Sequence, residues 1–166
     1  MDSIMEVIII YDSFLTNYPL LEPISREIYE AFTSKNIKPH YYALSHDTKD
    51  IILALLLEKH EAPGIFIYYG HGCPCGCSLN FDECFSLITT ANLQLLEKKN
   101  ILYLVACYTA KSLGNDFFTN NKNTSFFGYN HTFQLAGIDV KHSTFQHQLL
   151  KAAQSGLLEM RKLNVT

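Results

Sequence analysis

The amino-acid sequence predicts a mixed α/β protein, a three-layer sandwich with a mainly parallel sheet. Two observations carry this prediction. Short runs rich in Ile, Val, Leu and Tyr alternate along the chain with segments of helical periodicity. Several of the runs are apolar at consecutive positions, which is typical of parallel strands buried on both faces. The 166 residues, 48% of them hydrophobic, are enough for one sizeable core, so we predict a single domain over 1–166.

The elements follow from these patterns in chain order. The first strand is β-branched at consecutive positions and ends at Asp12. Pro39 favours an edge position for the second strand, because proline cannot donate to a ladder. We predict strands at 6–11, 38–44, 64–70, 100–107 and 124–129, and helices at 20–35, 48–59, 90–99 and 110–118. A last helix would carry an apolar seam of Phe145, Leu149, Ala153 and Leu157. The loops fall at 72–82, 119–124 and 130–142.

Two of the predicted strands end in side chains that could take part in catalysis. The run before Cys107 is apolar and delivers this thiol to the carboxyl end of a strand. The run 64–70 leads directly into His71. Because ligands bind at the carboxyl edge of open α/β sheets, and consecutive strands are usually neighbours, we expect His71 and Cys107 to face each other. This is the arrangement of a thiol and its base.

Composition excludes several partners. The formal net charge is −3, and Lys98-Lys99 and Arg161-Lys162 are too short to form a phosphate-binding stripe, so we expect no nucleic acid partner. Without an apolar run of membrane-spanning length or a signal-like start, we expect no membrane association and a cytoplasmic location. The odd count of five cysteines then indicates free, catalytic or metal-bound thiols rather than disulfides.

The segment Tyr68-Tyr-Gly-His-Gly72, followed by Leu104-Val-Ala-Cys-Tyr-Thr109, resembles the caspase-like (clan CD) cysteine peptidases, in which His-Gly ends one strand and Ala-Cys the next. The resemblance extends from the first strand to Tyr129. Within that group the chain is most similar to the CHAT and separase branch, on the segments 112–118 and 125–129. The resemblance implies a caspase-like fold and a cysteine endopeptidase that cleaves a protein substrate.

Carried over by residue, the resemblance implies Cys107 as the nucleophile and His71 as its catalytic partner. It places the oxyanion hole at the backbone amides of Gly72 and Cys107. A nearby imidazole and a following helix N-terminus would both favour the thiolate. Such enzymes act through a thioester and need no cofactor. Relatives often depend on an activating protein partner or ligand that orders loops, so we expect low basal activity.

Substrate preference stays open because two positions depart from the family pattern. Ala110 lies where relatives commonly have glycine, and Val105 is apolar where some carry an acidic specificity residue. Asp12, at the end of the first strand, would reach the same edge and could receive a basic substrate side chain. An aspartate in this position is also a common turn former.

A competing interpretation is a zinc site. Cys73, Cys75 and Cys77, together with Cys84 and His71, supply the right ligand types. Structural zinc sites, however, usually space their cysteines by two to four residues, and a C-x-C-x-C loop fits that pattern poorly. We therefore predict no metal, with thiols that are incidental or redox-sensitive.

A second function class also fits the sequence. Cys107 could be a buried structural thiol, and the chain a caspase-like binding or regulatory module with an idle dyad. The reactivity of Cys107 toward electrophilic peptide ketones separates the two, because only an activated thiolate reacts faster than an ordinary exposed thiol.

Overall fold

A computed structural model describes residues 6–13, 21–58, 63–73, 78–80, 86–120 and 125–131. The predicted C-terminal seam from Phe145 to Leu157 lies outside these residues. In chain order the elements are β1 Glu6–Asp12, α1 Leu21–Thr33, β2 His40–Leu44, α2 Lys49–Glu58, β3 Gly64–Tyr69, β4 His71–Gly72, β5 Ser78–Asn80, β6 Ser86–Thr89, a 3₁₀ helix Leu93–Leu96, β7 Ile101–Val105, α3 Ser112–Asn120 and β8 Ser125–Phe127.

Five of these strands form one sheet in the order β2-β1-β3-β7-β8, and every pairing in it is parallel. The predicted mixed α/β architecture with a mainly parallel sheet is therefore confirmed. β2 is an edge strand, as Pro39 suggested. The chain moves outward from β1 to β2 and then crosses to β3 on the other side of β1, so the strand order reverses between β1 and β3.

Helices pack on both faces of the sheet because the strands are apolar on both. On one face Ile8 and Ile10 of β1 share a core cluster with Leu56 of α2 and Phe117 of α3. On the other face the alternate β1 residues cluster with Ile28 and Phe32 of α1. This arrangement is compatible with three layers, and it buries β3 and β7 completely.

Two sequence predictions for the segment between β3 and β7 are wrong. The helix predicted at 90–99 is only the 3₁₀ helix Leu93–Leu96, where Asn92 Oδ1 accepts the Thr89 N–H at 2.6 Å and favours a local turn over an α-helix. The loop predicted at 72–82 contains strands, because β4, β5 and β6 pair as a small antiparallel sheet. Strands this short are too brief to display an alternating pattern.

The amino edge of the large sheet is closed by polar contacts. Lys99 is 1% exposed, and its ammonium pairs with the Glu6 carboxylate. His40 Nε2 lies 3.7 Å from the same carboxylate. Main-chain hydrogen bonds continue the closure, from Asn100 N–H to the Gly64 carbonyl at 2.8 Å. These contacts fix where β1, β2 and β7 begin.

Candidate functional site

Three strand ends meet at the carboxyl edge. The register aligns Tyr11 of β1 with Tyr69 of β3, and Tyr69 with Val105 of β7. The residues that follow these positions are Asp12, Gly70 and Ala106, which therefore lie side by side. Because the strand order reverses between β1 and β3, this edge includes the switch point at which open α/β sheets form a crevice.

Gly72 and Cys107 are in direct main-chain contact. A methyl group at Gly72 would lie 1.9 Å from the Cys107 carbonyl oxygen and 3.0 Å from its nitrogen. The Gly70 N–H also donates to the Val105 carbonyl at 3.1 Å, which ties the two strand ends together. The predicted neighbourhood of β3 and β7 is confirmed. Glycine is needed at position 72 because any side chain would collide with the Cys107 backbone, a reason that sequence alone did not supply.

Cys107 is the first residue after β7 to leave the core. Ala106 is fully buried, whereas Cys107 is partly exposed and not disulfide-bonded. His71, immediately before Gly72, is also partly exposed. Tyr108 follows with φ of 58°, in the left-handed region that a tyrosine rarely adopts. The chain therefore turns sharply at the point where the thiol emerges.

The segment 128–131 supports this turn. The Tyr108 N–H donates to the His131 carbonyl at 3.1 Å, and the Ala110 N–H donates to the Tyr129 carbonyl at 3.1 Å. Thr109 is fully buried; its hydroxyl donates to the Ala106 carbonyl at 3.2 Å and accepts the Tyr129 N–H at 3.2 Å. Sequence analysis missed Thr109, because nothing in its spacing distinguishes a bracing hydroxyl from an ordinary turn residue.

The helix that follows Cys107 begins later than predicted. α3 starts at Ser112, so the turn residues 108–111 separate Cys107 from its first residue. The influence of a helix terminus falls off within one turn. The prediction that Cys107 lies just before a helix N-terminus is therefore wrong.

Asp12 lies at the carboxyl edge but is only 3% exposed. It faces a buried hydroxyl: the pKa of Tyr68 is raised well above its ordinary value by complete burial and then by the negative charge of Asp12. The His71 N–H donates a hydrogen bond to this hydroxyl, which acts in the opposite direction on the pKa. The role of Asp12 in holding a basic substrate side chain stays a prediction.

Cys73 corrects one expectation about the cysteines. It is disulfide-bonded, so the prediction of a free or metal-bound thiol is wrong for this residue. Cys75, Cys77 and Cys84 lie outside the described residues. Within the part of the chain that the structure describes, no group of three or more His, Cys, Asp or Glu side chains could hold a metal ion. The absence of zinc from this loop stays a prediction.

No family model and no curated protein matches the chain. Among the described residues, no helix has both the length and the apolar character needed to cross a membrane.

Proposed function

We propose that the chain is a caspase-like cysteine endopeptidase in which Cys107 and His71 form the catalytic dyad. The observation that carries the proposal is the main-chain contact between Gly72 and Cys107 at the carboxyl edge. It supports the proposal because a nucleophile and its base must arrive from separate strands and converge. The partial exposure of both His71 and Cys107 leaves room for a substrate at that edge.

In this mechanism the Cys107 thiolate attacks the carbonyl carbon of a peptide bond and forms a tetrahedral intermediate. The N–H groups of Gly72 and Cys107 would donate to the oxyanion. The His71 imidazolium gives its proton to the leaving amine as the carbon–nitrogen bond breaks. Water then hydrolyses the thioester and restores the thiol.

The first prediction tests the nucleophile directly. Incubation with a panel of electrophilic peptide ketones should label wild-type protein at Cys107 faster than glutathione reacts with the same compounds. Cys107→Ala should lose this labelling completely and keep its melting temperature, since the side chain is small and partly exposed. Mass spectrometry identifies the labelled residue, and circular dichroism follows the fold.

The base is tested with a matched pair of histidines. His71→Ala should reduce labelling of Cys107 to the rate of an ordinary thiol, whereas His46→Ala, at an exposed turn after β2, should leave it unchanged. Labelling at glutathione-like rates in the wild type, with and without candidate partners, would contradict the peptidase proposal. That result would favour the binding or regulatory module, for which neither histidine matters.

Regulation by a protein partner or ligand is part of the proposal. The described site includes a residue in a left-handed conformation and a turn held by main-chain hydrogen bonds to 129–131, so small movements there would alter the thiol position. The substrate is a protein, and the chemistry requires no cofactor. A cytoplasmic location is likewise proposed from the sequence.

A further inference from the structure

The hydroxyl of Tyr68 lies where β1 and β3 end, and its surroundings are unusual. The ring is fully buried in the core cluster beneath α2 and α3. Its register neighbours, Ile10 and Leu104, are aliphatic, so the strands on either side offer no polar side chain at this level. A buried hydroxyl in such a setting needs hydrogen-bond partners. Those partners come from the carboxyl edge.

Gly70 creates the space for this hydroxyl. A methyl group at Gly70 would lie 2.5 Å from Tyr68 Oη and 3.0 Å from Asp12 Cβ. The main chain therefore bends closely over the hydroxyl, with Asp12 on the β1 side. The next residue along the chain is His71, whose N–H donates to the hydroxyl oxygen. The Tyr68 hydroxyl thus contacts the first residue of β4, the strand that carries both His71 and Gly72.

We propose that Tyr68 is a positioning residue for the candidate site, its buried hydroxyl holding the short strand β4, His71–Gly72, against Cys107 while Asp12 orients that hydroxyl. This inference rests on the proposed function, because it concerns the same thiol and imidazole. In this role Tyr68 acts through the main chain of His71.

Charge explains the part played by Asp12. A carboxylate beside a phenol attracts the phenolic proton, which leaves an oxygen lone pair directed toward the His71 N–H. Burial strengthens this arrangement, since Asp12 is 3% exposed and Tyr68 is fully enclosed. The raised pKa of Tyr68 agrees with it, because the phenol keeps its proton. Asp12 would therefore act on the site while remaining almost inaccessible to solvent.

The adjacent residue provides a matched control. Tyr69 is equally buried, but it points to the opposite face of β3 and packs edge-on against Tyr103 at 6.2 Å between ring centroids. Tyr68→Phe and Tyr69→Phe each remove one oxygen from a buried tyrosine of the same strand. A general loss of packing or stability would affect the two variants alike.

The experiment has two readouts, one of which does not require activity. Amide hydrogen exchange measured by NMR reports the hydrogen bond of the His71 N–H, and labelling by a peptide ketone reports the geometry at Cys107. We expect Tyr68→Phe to accelerate exchange at His71 and to lower the maximal labelling rate roughly tenfold to a hundredfold, as small misplacements of reacting groups do. The ketone concentration that gives half-maximal labelling should be the same in Tyr68→Phe as in the wild type. Tyr69→Phe should change neither the exchange rate nor the labelling rate.

The outcomes separate the two proposals. Wild-type protein without activated labelling, both alone and with candidate partners, overturns the peptidase proposal before any variant is considered. Activated wild-type labelling that Tyr68→Phe leaves unchanged, or that both variants lower equally, overturns only the role of Tyr68. If Tyr68→Phe does not fold, two other measurements test the role of Tyr68. They are the exchange rate of the His71 amide in the wild type and the labelling rate of Asp12→Asn. A rapidly exchanging His71 amide, or full labelling by Asp12→Asn, contradicts the positioning role, while slow exchange with reduced labelling supports it.

Discussion

The two edges of the parallel sheet are packed equally tightly but differ in what they leave exposed. At the amino edge a methyl group at Gly64 would lie 2.0 Å from the Glu6 carbonyl oxygen, and at the carboxyl edge one at Gly72 would lie 1.9 Å from that of Cys107. The amino edge encloses its charges, with Lys99 buried against Glu6. The carboxyl edge keeps His71 and Cys107 partly exposed. Close packing thus fixes strand position at one edge, and under the proposed function it would align Cys107 with His71 at the other.

The largest effect should come from the amino edge. Lys99→Met removes one partner of a buried ion pair and leaves the Glu6 carboxylate, whose side chain is 14% exposed, without its main counter-charge. We expect the free energy of unfolding to fall by roughly 3–5 kcal/mol, the range for such losses. Denaturant unfolding measures this change. Lys98→Met, which alters the exposed neighbour, should have almost no effect.

The same variant tests whether the edges are independent. In Lys99→Met the folded protein should label at Cys107 as fast as the wild type, because the ion pair lies at the opposite end of the strands. Adding Glu6→Gln should restore much of the lost stability, since an unpaired buried charge is then removed. Slower labelling in folded Lys99→Met protein would show that the amino edge also shapes the site.

The second effect compares the two glycines. Gly64→Ala and Gly72→Ala each force a methyl group against a main-chain carbonyl, so both should destabilise the fold by about 1–3 kcal/mol. Only Gly72→Ala should also slow labelling of Cys107, by roughly a hundredfold, because its backbone must move away from the thiol. Unfolding experiments and ketone labelling are run on both variants. Equal labelling rates would contradict the division between a structural and a functional edge.

Sequence predicted those parts of the fold that depend on local pattern and chain order. The consecutive β-branched residues of β1 indicated a strand buried on both faces, and chain order indicated that β3 and β7 are neighbours, which brings Gly72 to Cys107. It could not predict β4 to β6, whose pairing depends on contacts between very short segments. Nor could it predict the disulfide at Cys73, because a cytoplasmic location argued for reduced thiols.

Within the candidate site, sequence indicated only the residues whose side chains suggest chemistry by themselves, such as His71 and Cys107. Tyr68 and Tyr69 look alike in sequence and are equally buried, yet they face opposite sides of β3, and only Tyr68 meets Asp12 and the His71 main chain. The side to which each faces depends on the register of the folded sheet. Thr109 was missed for a related reason, because its partners Ala106 and Tyr129 come together only after β7 and β8 have paired.

The smallest effect concerns Asn36 and Tyr108, the two non-glycine residues with positive φ among those that the structure describes. Asn36, at 61°, ends α1 in a Schellman motif, with the Ile37 N–H bonded to the Phe32 carbonyl at 3.1 Å. Asparagine tolerates this conformation, so Asn36→Gly should change the free energy of unfolding by less than about 1 kcal/mol. It should leave labelling of Cys107 unchanged, because the helix end is remote from the thiol in sequence and belongs to α1.

Tyr108, at 58°, has the same backbone conformation but a bulky side chain next to Cys107. Tyr108→Gly relieves a strain of roughly 1–2 kcal/mol. It also loses the cation–π contact between the Tyr108 ring and the Lys111 ammonium, which lies 4.3 Å from the ring centroid. Such a contact contributes about 0.5–1 kcal/mol at an exposed site. Greater freedom of glycine in the unfolded chain offsets the rest, so stability should change little. Labelling should nevertheless slow, because glycine lets the turn leave the conformation that presents the thiol. Unchanged labelling would mean that the hydrogen bonds to Tyr129 and His131 hold the turn without help from the tyrosine.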